Sequence, residues 1–314
     1  MKAFVIRQYG SREVLEPAEV PDPETDEDEL LVRIHAIGIN PVDWKIRKGM
    51  ARFFIRRKFP LILGQDFAGE VVAVGSKVGD YEIGDRVFGA VISLQRDGSY
   101  AEMIAVPARN VATLPANMSF EEAAAIPTAG LSALQALRDL GHIRNGMDVL
   151  INGAAGGVGH YAVQIAKFFG VYVTAICGPD NLDFATDLGA DEAMDYHQID
   201  YTREKSRYDI IFDTIGNHNF SESIPVLQPK GIFITTIPSP RFFLQSLLTW
   251  FTPKKSKVLM MRIEEDDLWE LKKMAEADQL RSHVEHIFPF GKIPEAQALS
   301  ERAHLRGKIV VQVE

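Results

Sequence analysis

The first third of the chain alternates short apolar runs with turns. Residues 3–7, 30–37, 66–75 (DFAGEVVAVG), 84–90 and 100–106 each read as a strand, and several are closed by glycine. An acidic, proline-containing loop, PDPETDED (21–28), separates the first two. Many short strands with glycine turns predict a small barrel-like β domain. The texture changes near residue 119. Ser119 and Glu122 have the spacing of a capping box, helical periodicity continues through Leu131, Leu134 and Leu137, and Gly141 is placed to end that helix. From Asp148 the pattern becomes strand, helix, strand. DVLI (148–151), VYVTAI (171–176), DIIFDTIG (209–216) and GIFITTI (231–237) are largely apolar, as parallel strands buried on both faces require. This alternation predicts a doubly wound α/β sheet. A strand at VLMMRI (258–263), a helix over 266–277 and a last strand, KIVVQV, follow. That last strand has no obvious place in the parallel sheet, and a return to the β domain would make that domain discontinuous.

The turn after residues 148–151 reads NGAAGGVG (152–159), a dinucleotide fingerprint in the form Ala154-x-Gly156-x-x-Gly159. Small residues let backbone approach a pyrophosphate. The helix that begins near Val158 offers that anion its N–H groups and positive end. A glycine motif alone is weak. This one follows a strand, opens a helix and precedes a second strand, which is the confirming context. A site for NAD carries an acid at the end of that second strand to bond the ribose 2′-OH. Here the strand ends in Ile176-Cys177-Gly178, so NADPH is expected and NADH stays possible. The first acid, Asp180, comes slightly late.

Bulk properties narrow the partners. At 314 residues the chain exceeds what one core usually serves. A net charge of −9 argues against nucleic acid, which wants a basic stripe. The local exception, Arg52, Arg56, Arg57 and Lys58, reads as a solvated loop. The single cysteine, Cys177, excludes an intrachain disulfide and a four-cysteine zinc site, and fits a reducing cytoplasm. No stretch is long and apolar enough to span a bilayer, so no membrane partner is expected.

AIGINPVDWKIRKG (36–49), LGQDFAGEVVAVG (63–75), GDRVFG (84–89), IPTAGLSALQAL (126–137) and NGAAGGVG, in this order and closing with RGKIVVQV, resemble the zinc-independent, zeta-crystallin-like quinone oxidoreductases of the medium-chain dehydrogenase/reductase superfamily. The resemblance covers nearly the whole chain. It implies a GroES-like β-barrel catalytic domain formed by residues 1–122 and 266–314 around a Rossmann domain at 123–265. It further implies that Thr128 faces the nicotinamide, and that Gly156, Gly157 and Val158, with Ala154, hold the pyrophosphate. Cys177, Asn181 and Tyr196 would surround the adenosine 2′-phosphate. Gly216, Ile237 and Pro238 would line the nicotinamide side, with Lys308 near the cleft. Relatives often have Ser and Arg at the positions of Gly178 and Asp180. Zinc alcohol dehydrogenases share the fold, but this chain has Asn40 and Gln65 where their catalytic metal takes Cys and His, and neither Cys nor His near Pro127. Tetrahedral zinc prefers thiolate, imidazole or carboxylate donors, so no metal is expected.

Without a Lewis acid the expected acceptors are quinones and α,β-unsaturated carbonyl compounds, which take hydride readily. Asn40, Asp43 and Lys45 are the candidate catalytic residues. Asn40 offers N–H donors to a developing oxyanion, Lys45 a cation for it or for the cofactor ribose, and Asp43 a partner for Lys45. Read without the family, Asn40-Pro41 is a turn signal and Asp43 a capping residue. His35 and His160 read as structural, and Asp66 as a support for the cleft. RFFLQSLLTWF (241–251) is unusually apolar for a connector and reads three ways: a cap over an apolar substrate, a dimer interface, or core. A homodimer is expected by resemblance. The alternative function is an NADPH-binding structural or regulatory protein with little turnover.

Overall fold

The computed structural model describes residues 1–54, 58–203, 205–302 and 304–313. Arg56 and Arg57 of the basic run lie outside them. In chain order the strands are β1 (Lys2–Ile6), β2 (Glu16–Glu19), β3 (Glu29–Ile39), β4 (Leu61–Ile62), β5 (Asp66–Val74), β6 (Arg86–Ala90), β7 (Met103–Pro107), β8 (Val111–Thr113), β9 (Asp148–Asn152), β10 (Tyr172–Cys177), β11 (Glu192–Asp195), β12 (Tyr208–Asp213), β13 (Leu227–Thr235), β14 (Lys255–Val258), β15 (Val284–Pro289) and β16 (Lys308–Gln312). The α-helices are α1 (Pro41–Arg47), α2 (Phe120–Ala124), α3 (Pro127–Gln135), α4 (Gly159–Phe168), α5 (Leu182–Asp187), α6 (Phe220–Ser223), α7 (Pro240–Leu248), α8 (Glu265–Glu276) and α9 (Ile293–Arg302). The chain divides into two compact units, Met1–Thr128 with Ile263–Glu314, and Ala129–Arg262.

In the first unit the long strand β3 is the hub. It pairs antiparallel with β5, β7 and β16, and the sheet runs β15-β16-β3-β5-β6-β8. Chain ends far apart in sequence therefore share one sheet, with Ile309 opposite Ile39. The inward residues Ile34, Ile37, Phe67, Val71, Val87, Val111, Ile309 and Val311 form one buried cluster. A smaller sheet, β2-β1-β4, lies in the same unit. Helix α1 begins where β3 ends. Asn40 and Asp43 form a reciprocal capping box and Pro41 takes the first helical position, where its missing N–H costs nothing. Ser119 and Glu122 likewise cap α2. The helical pattern after residue 119 predicts one helix, but the chain makes two. Pro127 lacks the N–H a continuing helix needs and opens α3 instead. The last turn before Gly141 widens to a π-helix over Ala136–Leu140.

The second unit is built on a wholly parallel sheet in the order β11-β10-β9-β12-β13-β14. Its strand order reverses beside β9, between β10 and β12, which is the doubly wound pattern that seats ligands at the carboxyl ends of the strands. Val149, Leu150, Ile151, Ile211 and Phe212 are buried, and α4 packs on β9 and β10. One strand is displaced from its expected place at 258–263. The strand is Lys255–Val258, because β13 ends at Thr235, which pairs with Val258. Beyond that point Leu259 N still donates to Thr235 O at 2.9 Å, whereas Arg262 N donates to the Gln135 side chain at 3.0 Å instead of to a neighbouring strand. β14 is an edge strand of this sheet, and its Lys255 and Lys257 ammoniums fold back to donate to Thr249 O at 3.2 Å and Leu140 O at 2.8 Å.

Candidate functional site

The first unit holds a chain of buried polar side chains. Asn40 is 3% exposed. Its Nδ2 donates to Asp66 Oδ2 at 2.8 Å, and its Oδ1 accepts from Lys308 Nζ at 2.5 Å. Lys308 also donates to Ile39 O at 3.2 Å, and its ammonium lies 3.7 Å from Asp66. Asp66 Oδ1 accepts from the Thr128 backbone N–H at 3.0 Å and from the Thr128 hydroxyl, whose oxygen also lies 3.3 Å from Gln65 Oε1. On the other side of Asn40 its backbone N–H donates to Asp43 Oδ2 at 2.8 Å, and Tyr100 OH donates to the same oxygen at 3.0 Å. Gln297 Nε2 donates to Tyr100 OH and Gln297 Oε1 accepts from Arg47 Nε, at 3.1 and 2.7 Å. Arg47 is wholly buried and reaches Glu301 at 2.9 Å.

Burial sets the protonation of this chain. A charge removed from water is destabilised unless partners replace the hydration. Burial raises the Asp43 carboxyl to about 7, against the opposing hydrogen bond from Asn40 N; the nearby charge of Asp66 adds to the rise. Burial also raises Asp66, while Lys308 and the Thr128 and Asn40 donors resist it. Lys308 is lowered by the same burial, with Asp66 and Asp43 pulling it back up. Tyr100 is pushed well above its ordinary value by burial and by Asp43, so it keeps the proton it donates.

The glycine-rich turn of the second unit fits a nucleotide. Gly153 sits in the left-handed region at φ +83°. Its N–H and that of Ala154 both donate to Ile176 O at 3.0 Å, which ties the turn to β10. A Cβ at Gly159 would stand 2.0 Å from Gly153 O, so only glycine lets α4 start this close to the turn. A Cβ at Gly156 would meet only that same oxygen, at 3.4 Å. Position 156 thus faces open space that a pyrophosphate can fill. At the carboxyl ends of β9 and β12, Asn152 Nδ2 donates to Asp213 Oδ1 at 2.9 Å. The same carboxylate oxygen accepts from the N–H groups of Ile215 and Gly216 and so shapes that turn.

The expected site residues fall into these two places. Ala154 is buried under the turn, while Gly156, Gly157 and Val158 lie at its partly open surface. Cys177 ends β10, Tyr196 N donates to Cys177 O at 3.2 Å, and Asn181 N donates to Gly178 O at 3.0 Å, so the three gather at one strand end. Burial first, then Asp195, pushes the Cys177 thiol up to about 11, which keeps it a protonated packing group. Gly216 abuts Ile237, and Pro238 follows exposed. Asn40, Asp43 and Lys308 belong to the buried chain of the first unit, and the half-buried Thr128 joins it through Asp66. Asp43 turns toward Tyr100 and its own helix N-terminus. Lys45 is half-buried, with its ammonium 5.6 Å from the Trp44 ring centre and its pKa lowered by burial. His35 stacks on Phe120, and His160 Nδ1 lies 3.0 Å from Gly156 O in the first turn of α4. Core, as a reading of residues 241–251, is overturned: Leu247 is 69% and Phe251 93% exposed. Arg47, Tyr100 and Gln297 carried no signal in the sequence, because their contacts join residues about 50 to 250 apart. Asp213 could have been suspected from its place three residues before Gly216 at a strand end.

Known proteins share this architecture. The alcohol dehydrogenase GroES-like domain matches residues 26–116, and a domain described as zinc-binding dehydrogenase matches residues 188–311. A chloroplast envelope quinone oxidoreductase homolog of Arabidopsis thaliana is 35% identical across 99% of this chain and 98% of its own length. A 2-methylene-furan-3-one reductase of Solanum lycopersicum is also 35% identical, over 78% of this chain and 66% of that protein. The Escherichia coli quinone oxidoreductase, solved in complex with NADPH, superposes with a TM-score of 0.84 at 25% identity, covering 99% of this chain and all of that one. The GroES-like unit and the parallel Rossmann sheet together define a medium-chain dehydrogenase/reductase. The chain belongs to the quinone oxidoreductase family of that superfamily and is an NAD(P)H-dependent oxidoreductase.

Proposed function

We propose that this enzyme reduces quinones or α,β-unsaturated carbonyl compounds with NADPH and without zinc. The observation that carries the reading is the Asn40 carboxamide bridging Lys308 and Asp66. At the positions where zinc relatives place metal donors, this chain has amides already engaged with other side chains, and an ammonium supplies the local positive charge. Among the described residues no group of three or more His, Cys, Asp or Glu is disposed to hold a metal. When bound, reduced nicotinamide supplies the hydride. The acceptor must then tolerate negative charge without a Lewis acid, which favours quinones and enones over simple ketones. Lys45, on α1, offers its cation to the acceptor oxygen or the cofactor ribose. Asn40, Asp43, Asp66 and Thr128 act as positioning residues that hold the start of α1 rigid. β10 ends at Cys177, before Gly178, with no Asp or Glu of its own, the neighbouring Asp195 of β11 is engaged by His197 N and the Gln198 side chain, and Tyr196 lies beside Gly178; this supports NADPH over NADH.

The test is loss of the near-ultraviolet band of NADPH, and separately NADH, with quinones, enones and a simple ketone, each with and without a chelator. The reading expects turnover of quinones or enones only, faster with NADPH and indifferent to the chelator. A chelator-sensitive reaction, or reduction of the simple ketone, would overturn zinc independence. Tight NADPH binding with no acceptor consumed would leave a binding protein. A homodimer in a reducing cytoplasm completes the proposal; sedimentation measures the first part.

A further inference from the structure

Asn152 ends β9 where the chain enters the glycine-rich turn, and it pairs in parallel register with Asp213 at the end of β12. It is 4% exposed. Its carboxamide nitrogen has two hydrogens, and both are used: Nδ2 donates to Asp213 Oδ1 at 2.9 Å and to Asn217 Oδ1 at 2.7 Å. Its backbone carbonyl accepts from Thr214 N at 3.1 Å and from Thr214 Oγ1 at 2.8 Å. One residue at the root of the glycine turn therefore holds Asp213, Thr214 and Asn217 together. Among side chains of this length only asparagine offers two donors on one uncharged nitrogen; ionised aspartate offers none, and serine and threonine one each.

The turn at 214–217 depends on these bonds. Ile215, Gly216 and Asn217 are exposed and belong to no strand or helix. Ile215 N and Gly216 N donate to Asp213 Oδ1 at 3.0 and 2.9 Å, the same oxygen that Asn152 engages. The two turns also touch: a Cβ at Gly153 would stand 2.5 Å from Thr214 Oγ1 and 2.6 Å from the Ile215 side chain. On its other side the turn leaves only 2.5 Å between a Cβ at Gly216 and the Ile237 side chain. We infer that Asn152 is a positioning residue for the cofactor, locking the turn on the nicotinamide side to the turn at the pyrophosphate. This rests on the proposed placing of the pyrophosphate at residues 154–158 and of the nicotinamide beside Gly216 and Ile237. The two halves of one dinucleotide then meet a spacing that is set before binding. Order that exists beforehand is order that binding does not have to create, and it appears as affinity. It does so only for a ligand long enough to meet both turns; the adenosine half alone does not reach the second.

The experiment measures by calorimetry the binding of NADPH and of adenosine 2′,5′-bisphosphate to the full chain and its variants, and follows amide exchange in the absence of ligand. Asn152→Ala should weaken NADPH about tenfold, the worth of one hydrogen bond to a charged group, and leave adenosine bisphosphate within about twofold of the parent. In that variant the amides of Ile215 and Gly216 should exchange faster while those of β9 and β12 stay protected. Asn152→Asp loses both donors and should bind NADPH as weakly. Adding Asp213→Asn returns an N–H donor to the contact from the other strand and should recover part of the loss. Should the alanine variant fail to fold, Asn152→Asp and its double variant decide by the same comparison. Equal losses for the two ligands, unchanged NADPH affinity, or a double variant no better than Asn152→Asp overturns the inference. Gly156→Ala separates this result from the placing of the cofactor. If it weakens NADPH while Asn152→Ala does not, the inference alone falls. If it leaves NADPH affinity unchanged, the pyrophosphate lies elsewhere and the inference falls with the site.

Discussion

Asp43→Asn isolates the consequence of burying a carboxyl in the core of the first unit. Asp43 Oδ2 accepts from Asn40 N and Tyr100 OH, and Oδ1 has no hydrogen bond among the described residues. Asparagine keeps one acceptor for both donors and removes the proton equilibrium. In the unfolded chain the carboxyl ionises at its ordinary value of 3.8; in the fold burial holds its proton to about 7. Between those values the native state binds more protons than the unfolded state, so stability falls as pH rises and then levels off above 7. The slope is about 1.4 kcal/mol per pH unit, or about 3 kcal/mol between pH 5 and pH 8. The measurement is urea denaturation of both proteins across that range, read by amide exchange in β3 and β5 so that the first unit is followed by itself. Asp66 pushes in the same direction in both proteins, and the difference between them removes its contribution. The expected outcome is a variant that gains about 3 kcal/mol on the parent from pH 5 to pH 8. Parallel stability curves would refute the account of Asp43 as a buried, protonated group.

The glycine turn separates packing from binding. Gly159→Ala places a Cβ against Gly153 O and should unfold the turn, lowering both the melting temperature and NADPH affinity. Gly156→Ala should leave the melting temperature alone and weaken NADPH about tenfold, the effect of roughly 1.4 kcal/mol lost at the pyrophosphate; equal damage from both substitutions would contradict the geometry. Lys308→Met leaves Asp66 buried without its ammonium and should cost about 3 kcal/mol, part of it recovered by adding Asp66→Asn. Strict additivity in a denaturation cycle would show that the two side chains are not coupled. Cys177, with its thiol pushed up to about 11, should resist iodoacetamide at pH 8 in the folded protein; rapid alkylation seen by mass spectrometry would place it in a different environment.

Local patterns in the sequence predicted local structure well. The valine run at 66–75 is β5, the Ser119–Glu122 spacing is a capping box, and NGAAGGVG forms the strand–turn–helix that a dinucleotide needs. What failed was long-range. VLMMRI has the apolarity of a strand, yet the end of β13 decides which residues pair, and those are Lys255–Val258. Residues 241–251 stood out in the sequence for their apolarity alone; that most of them form α7, and which way its faces turn, was not legible. Only the fold reveals that Thr249 and Gln245 turn inward and the leucines outward. Asn40 was legible from its motif, whereas its ties to Lys308, 268 positions away, and through Asp43 and Tyr100 to Gln297 are set by the pairing of β3 with β16 and the packing of α9 on α1. Side chains proposed as direct participants, Asn40 and Asp43, are engaged in that internal chain.

The central claim is that hydride passes from NADPH to an activated double bond or quinone. The most direct measurement uses NADPH carrying deuterium at nicotinamide C4, each face labelled in turn, with an enone acceptor and product analysis by mass spectrometry and NMR. The account predicts that one label, and only one, appears at the β-carbon of the saturated ketone in a chelator-treated enzyme. Deuterium at the carbonyl carbon, or no transfer of either label to any quinone or enone that is consumed, would contradict it.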